Sequence, residues 1–107
     1  EDIKSLYEYK CQVCDIYLKT PYGGISIGAH IKGLGKPHNG PDVIENMICL
    51  CPNHHEQFDE YGYYINPENL EIKGLEKFEG KKITVNKKHN IDKVFLKYHQ
   101  DQYKKNN

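Results

Sequence analysis

Two residue pairs in this 107-residue chain have the types and spacing of metal ligands, Cys11-Gln12-Val13-Cys14 and Cys51-Pro52-Asn53-His54, and His55 follows directly on the second. With two residues between its donors, each pair lets one tight turn aim both side chains at a single tetrahedral Zn²⁺. His55 cannot readily share that ion, because adjacent side chains diverge by about a hundred degrees around a helix and point to opposite faces of a strand. The stretch therefore reads as a structural zinc clamp, made by Cys11, Cys14, Cys51 and His54, that positions a second histidine for other work. Cys49 competes as a ligand, but the gap from Cys51 to His54 is the better geometry.

A chain of this length is one domain with a small core, for which a structural metal adds stability. The charged start Glu1-Asp2-Ile3-Lys4 has no apolar run behind it, and no stretch approaches a membrane span. Thiols serving a metal in a reducing, cytoplasmic setting are favoured over two disulfides. The net charge of zero conceals a split: residues 1–72 carry five Lys against eleven Asp and Glu, and residues 73–107 carry ten Lys against four. The C-terminal third is thus a basic segment of the kind that tracks phosphates. With Lys as every cation and no Arg, bidentate reading of guanine by arginine is absent, and the segment supplies affinity rather than sequence choice.

The elements that must position these residues follow from pattern. Residues 1–9 form a helical turn or lead-in, with Ile3, Leu6 and Tyr7 as contacts. Pro21 and Gly23-Gly24 make 15–24 a loop. Residues 25–31 alternate as a strand with Ile25, Ile27, Ala29 and Ile31 on one side and His30 on the other. A long irregular loop over 32–41 leads to a second strand over 46–51, antiparallel to the first. Pro52 suits the first turn of a helix on which His55 and Asp59, four apart, share a face and can reach one metal ion. A hairpin over 62–72, a strand over 83–85 and a final helix capped by Asn90 complete the chain, with Ile91, Val94, Phe95, Tyr98 and Tyr103 on that helix's apolar side and a disordered Lys/Asn-rich end.

Strand with histidine, loop, strand with asparagine and helix with histidine, in that order, resemble the HNH endonuclease family. The matching segments are CQVC at 11–14, AHI at 29–31 and NMICLCPNHHEQFD at 46–59. The connecting GLGKPHNGPD at 33–42 and the FLKYH at 95–99, with His89 before it, look like the C-terminal HNH domain of modified-cytosine-dependent restriction endonucleases that carry an SRA reader domain. The resemblance implies an α+β fold with a ββα-metal core over about 9–60, a zinc knuckle, an added β-hairpin and a C-terminal helix, with a basic extension over 61–107. It also implies a longer protein whose reader domain lies elsewhere. His30 then matches the general base, Asn46 the central asparagine and His55 the catalytic metal ligand. Cys11, Cys14, Cys51 and His54 match the zinc site. Ala29 stands where many relatives place a second ligand to the catalytic ion; Asp59 can fill that vacancy, with His38 or Asp42 as weaker candidates.

The chemistry fits metal-dependent hydrolysis of double-stranded DNA, and the resemblance alone implies that this DNA is cytosine-modified. A neutral imidazole at His30 can take a proton from water during attack. A divalent ion held by His55, Mg²⁺ or Mn²⁺, neutralises charge building on phosphate and leaving oxygen. Asn46 has no useful proton and would orient His30 or fix the loop. One such domain cuts one strand, so a double-strand break takes a homodimer or two sequential nicks. Two other functions use the same residues, a zinc-stabilised nucleic-acid-binding module without catalysis and a nuclease toxin domain.

Overall fold

The computed structural model describes residues 2–107; Glu1 lies outside the described residues. Among the described residues, three two-stranded antiparallel sheets, three α-helices and two 3₁₀ turns make up the regular structure. A short helix α1 (Asp2–Leu6) leads into the Cys11–Cys14 turn, followed by β1 (Leu18–Thr20) and β2 (Gly23–Ile25). Pro21 and Gly23-Gly24 are therefore not loop markers, as expected from sequence, but the punctuation of a hairpin with a two-residue turn. Gly23 adopts φ +117°, and Thr20 Oγ1 donates to the Gly23 carbonyl at 2.6 Å while accepting from Tyr22 N at 3.1 Å.

The strand expected over 25–31 is broken at Ser26. Ile25 belongs to the first hairpin and is exposed, whereas β3 (Ile27–His30) pairs with β4 (Met47–Leu50) in the register Ile27 to Leu50 and His30 to Met47. Ile31 N continues the ladder to Asn46 O at 2.8 Å. Asn46 itself closes a 3₁₀ turn over Ile44–Asn46 rather than opening the strand, and Cys51 is the N-cap of α2 (Pro52–Asp59). Pro52 sits in the first turn of α2, where its missing N–H costs nothing. At the other end Tyr61 takes φ 59°, Tyr61 N bonds Phe58 O and Gly62 N bonds Gln57 O, a Schellman closure with tyrosine in the place glycine usually fills.

The expected second hairpin forms from β5 (Tyr64–Ile65) and β6 (Ile72–Lys73). Residues 83–85 form no strand; Ile83 N and Thr84 N bond the carbonyls of Leu70 and Gln12, and the one bridge there joins Glu71 to Lys82. The last helix, α3 (Lys93–Asn106), is capped by Asp92, not Asn90, because Asp92 is tied to Glu45 O through its own N–H and its carboxylate accepts from Val94 N. Val94 is exposed while Leu96 and His99 are buried, so the inward face of α3 differs from the one expected. The Lys/Asn-rich end is helical to Asn106, and Asn107 Nδ2 donates to Tyr61 O.

Ile48, Leu50, Phe58, Tyr63, Ile65, Ile72 and Leu96 form the main core between β4, α2, the second hairpin and α3. A second cluster of Ile3, Tyr7 and Cys49 lies on the opposite face of β4. Buried Gln12 joins the halves, its amide donating to Thr84 O and accepting from Cys49 N, both at 2.8 Å. No helix among the described residues is long and apolar enough to cross a membrane.

Candidate active site and metal cluster

The first turn of α2 separates the two histidines. His54 Nδ1 lies 3.4 Å from Cys51 Sγ and 3.8 Å from Cys11 Sγ, Cys14 Sγ lies 3.9 Å from Cys51 Sγ, and the four ligating atoms are all within 4.8 Å of one another. Four sulfur or nitrogen donors around a tetrahedral Zn²⁺ at about 2.3 Å stand roughly 3.5–3.8 Å apart, so the cluster has the size such an ion needs. The His54 ring is held edge-on by Phe78 and Tyr63, and burial lowers its pKa, which keeps the imidazole in the neutral, ligating form. Burial also raises the thiol pKa of Cys14, and that of Cys11 to about 12, a cost that a bound cation reverses. Cys49 is not part of the cluster; its wholly buried side chain packs with Ile3 and Tyr7.

His55 turns the other way, into a cleft of about 400 Å³ that it lines with His30, Gly33, His38, Asp59 and Tyr61. His55 Nε2 is 3.0 Å from Asp59 Oδ2. That spacing matches neighbouring ligands of an octahedral ion with bonds of about 2.1 Å, whose donors stand roughly 3.0 Å apart. The Asp59 carboxyl is pushed above its usual range chiefly by burial, against the opposing pull of His55. Ala29 lines the same cleft and offers no donor.

His30 reaches the cleft from the end of β3, with Nε2 2.8 Å from Asp42 Oδ1. Asn46 is wholly buried, and its amide is hydrogen-bonded to backbone groups rather than to His30. Its Nδ2 donates to the carbonyls of Lys32 and Pro41, and its Oδ1 accepts from Lys32 N, each at 2.9 Å. The asparagine is thus a clamp on both ends of the long loop. Gly40 is required there, since a Cβ at that position would stand 2.2 Å from Lys32 O.

The remaining histidines have structural partners. His38 Nδ1 meets the Tyr98 hydroxyl, and Asp42 Oδ1 meets His30 Nε2. His89 Nε2 donates to Ile44 O and its Nδ1 accepts from Tyr7. His99 stacks on Phe58 and donates from Nε2 to Phe58 O at 2.9 Å. The His30–Asp42 pair and the anchoring of α2 by His99 have no signature in local spacing, because each joins side chains from different parts of the chain.

Residues 11–66 match the family profile described as HNH endonuclease. The chain belongs to the HNH endonuclease family. A solved structure, the modification-dependent TagI restriction endonuclease, superposes with a TM-score of 0.87 at 39% identity over 94% of this chain. The chain spans 35% of the length of that protein. A search of curated protein sequences gave no match. Membership of the HNH endonuclease family and the likeness to a restriction endonuclease support a nuclease function acting on DNA, and the Cys₃His cluster suggests zinc.

Proposed function

We propose that the chain is the nuclease domain of a modification-dependent restriction endonuclease, hydrolysing phosphodiester bonds in double-stranded DNA, with recognition of modified cytosine residing in a reader domain elsewhere in a longer protein. The observation that carries this reading is that His30 and His55, from β3 and α2, line one cleft while the neighbouring His54 joins the thiol cluster. His30 acts as general base, taking a proton from the attacking water. His55 and Asp59 hold the divalent ion, Mg²⁺ or Mn²⁺, which when bound supplies Lewis-acid stabilisation of the developing charge. Asn46 keeps the loop ends, and with them His30, in place. Cys11, Cys14, Cys51 and His54 hold a structural Zn²⁺ that fixes the start of α2. The basic C-terminal third contributes phosphate contacts, and a homodimer or paired nicks complete a double-strand break.

The test is supercoiled-plasmid nicking in Mg²⁺ and Mn²⁺ by the chain and by His30→Ala. Removal of a general base costs about 10²–10⁴-fold in rate, with zinc content and unfolding unchanged. Ala29, which leaves the ion one donor short, favours a second reading, a zinc-stabilised binding module. That reading holds if the unaltered chain binds DNA but nicks it in neither metal.

A further inference from the structure

We propose that Asp42 is the positioning carboxylate of His30, fixing which imidazole nitrogen is left to accept a proton. The inference rests on the nuclease reading for its consequence in turnover, but its geometric content stands apart from it. An ionised carboxylate only accepts hydrogen bonds, so the 2.8 Å contact between Asp42 Oδ1 and His30 Nε2 requires the hydrogen to sit on Nε2. In the neutral ring Nδ1 is then the lone-pair nitrogen, and no group among the described residues bonds it. A base whose tautomer is set by an acidic neighbour is ready to take a proton at one defined atom, and its cation is stabilised where it forms.

The scaffold around the pair brings both partners under one restraint. Asn46 donates to the carbonyl of Pro41, immediately before Asp42, and bonds both backbone groups of Lys32, two residues after His30. One wholly buried side chain thus sets the approach of acid to base across the loop. Gly40 lets the backbone pass against Lys32 O just before that point, and Gly40 N donates to Gly33 O at 2.6 Å. The Asp42 side chain is 75% exposed, and exposed ion pairs contribute little to stability. A loop held this tightly to bring an exposed carboxylate onto the largely covered ring of His30 is better explained by orientation of His30 than by folding energy.

The experiment combines two readouts on the 107-residue chain, Asp42→Asn and Asp42→Ala. Long-range ¹H–¹⁵N correlation of the His30 ring reports the tautomer directly. The proposal expects Nε2–H in the unaltered chain, a mixture in Asp42→Ala and a shift towards Nδ1–H in Asp42→Asn, whose amide can donate to Nε2. In plasmid nicking it expects kcat to fall about 10–100-fold, with KM for DNA, zinc content and unfolding midpoint unchanged. An Nδ1–H tautomer in the unaltered chain overturns the proposal, as does full turnover in Asp42→Ala. Recovery of the variants at high Mg²⁺ overturns it too, because Asp42 would then be an ion ligand. If the unaltered chain nicks nothing, the nuclease reading fails while the tautomer measurement still decides the role of Asp42.

Discussion

Acidification should destabilise this domain through His99, and the size of the effect can be worked out. The ring is buried against Phe58, with centroids 3.7 Å apart and planes within 3°, and Tyr61 covers a further side. Burial lowers its pKa from 6.5 to about 4, the hydrogen bond to Phe58 O opposing only in part. Between those values the unfolded chain binds a proton at His99 that the folded chain refuses, so stability falls as pH drops from about 6.5 and levels off below about 4. At 1.36 kcal/mol per unit the full loss is about 3 kcal/mol, of which about 1.3 kcal/mol falls between pH 7.5 and 5.5. The perturbation to pair with acid is His99→Phe. It keeps a flat ring on Phe58 and gives up one hydrogen bond, at a cost of about 1 kcal/mol at neutral pH; Phe58 O keeps its bond from Tyr61 N. Urea unfolding of both proteins at several pH values between 5.5 and 7.5 gives the comparison. Carboxylates, His54, His89 and the thiol cluster titrate in both and cancel in the difference. The stability difference between the two proteins should shift by about 1.3 kcal/mol in favour of His99→Phe across that range, closing the gap near the acid end and slightly reversing it, and parallel profiles would refute the reasoning.

Removing the structural metal should unfold the domain. Cys51→Ser or a strong chelator takes away roughly 10–16 kcal/mol of metal-coupled folding free energy, read as loss of the cooperative thermal transition together with bound zinc. Mild chelation that strips only the cleft should abolish nicking while the transition survives. Asn46→Ala leaves Lys32 and Pro41 backbone groups without partners and should cost about 2–4 kcal/mol, measured by urea unfolding, with nicking lost in parallel. Gly40→Ala places a methyl against Lys32 O and should act on the same loop, losing about 1–3 kcal/mol and most of the turnover. Replacing Lys87 and Lys88, two exposed lysines of the basic C-terminal third, by Glu should weaken DNA binding and flatten its salt dependence, by about one unit of log–log slope for each phosphate no longer neutralised; an unchanged slope would exclude them from the interface.

Whatever rests on local spacing is legible in the chain. The thiol cluster follows from two short turns, and the opposed directions of His54 and His55 follow from helical geometry. Alternation marks a histidine strand with an antiparallel neighbour, and β3 and β4 pair in that way. The first hairpin escapes such a reading because Pro21 and Gly23 signal a turn without saying whether strands flank it. The cap of α3 lies at Asp92 rather than Asn90 because a distant carbonyl, Glu45 O, holds the Asp92 N–H. Gln12 is illegible for a similar reason: its amide satisfies backbone groups from two distant segments. Asp42 can be counted as an acid in the loop, but its contact with His30 depends on the path of the intervening chain, which no local rule specifies.

Because His54 and His55 sit back to back on the first turn of α2, their targets are set by rotational phase alone. Deleting or inserting one residue between Cys51 and His54 would turn the pair by about a hundred degrees, swinging the wrong ring towards the sulfurs and emptying the cleft of its imidazole. The segment 51–55 therefore works like a key cut to one length. It can accept changes of side chain at Asn53, which is exposed, but no change in residue count.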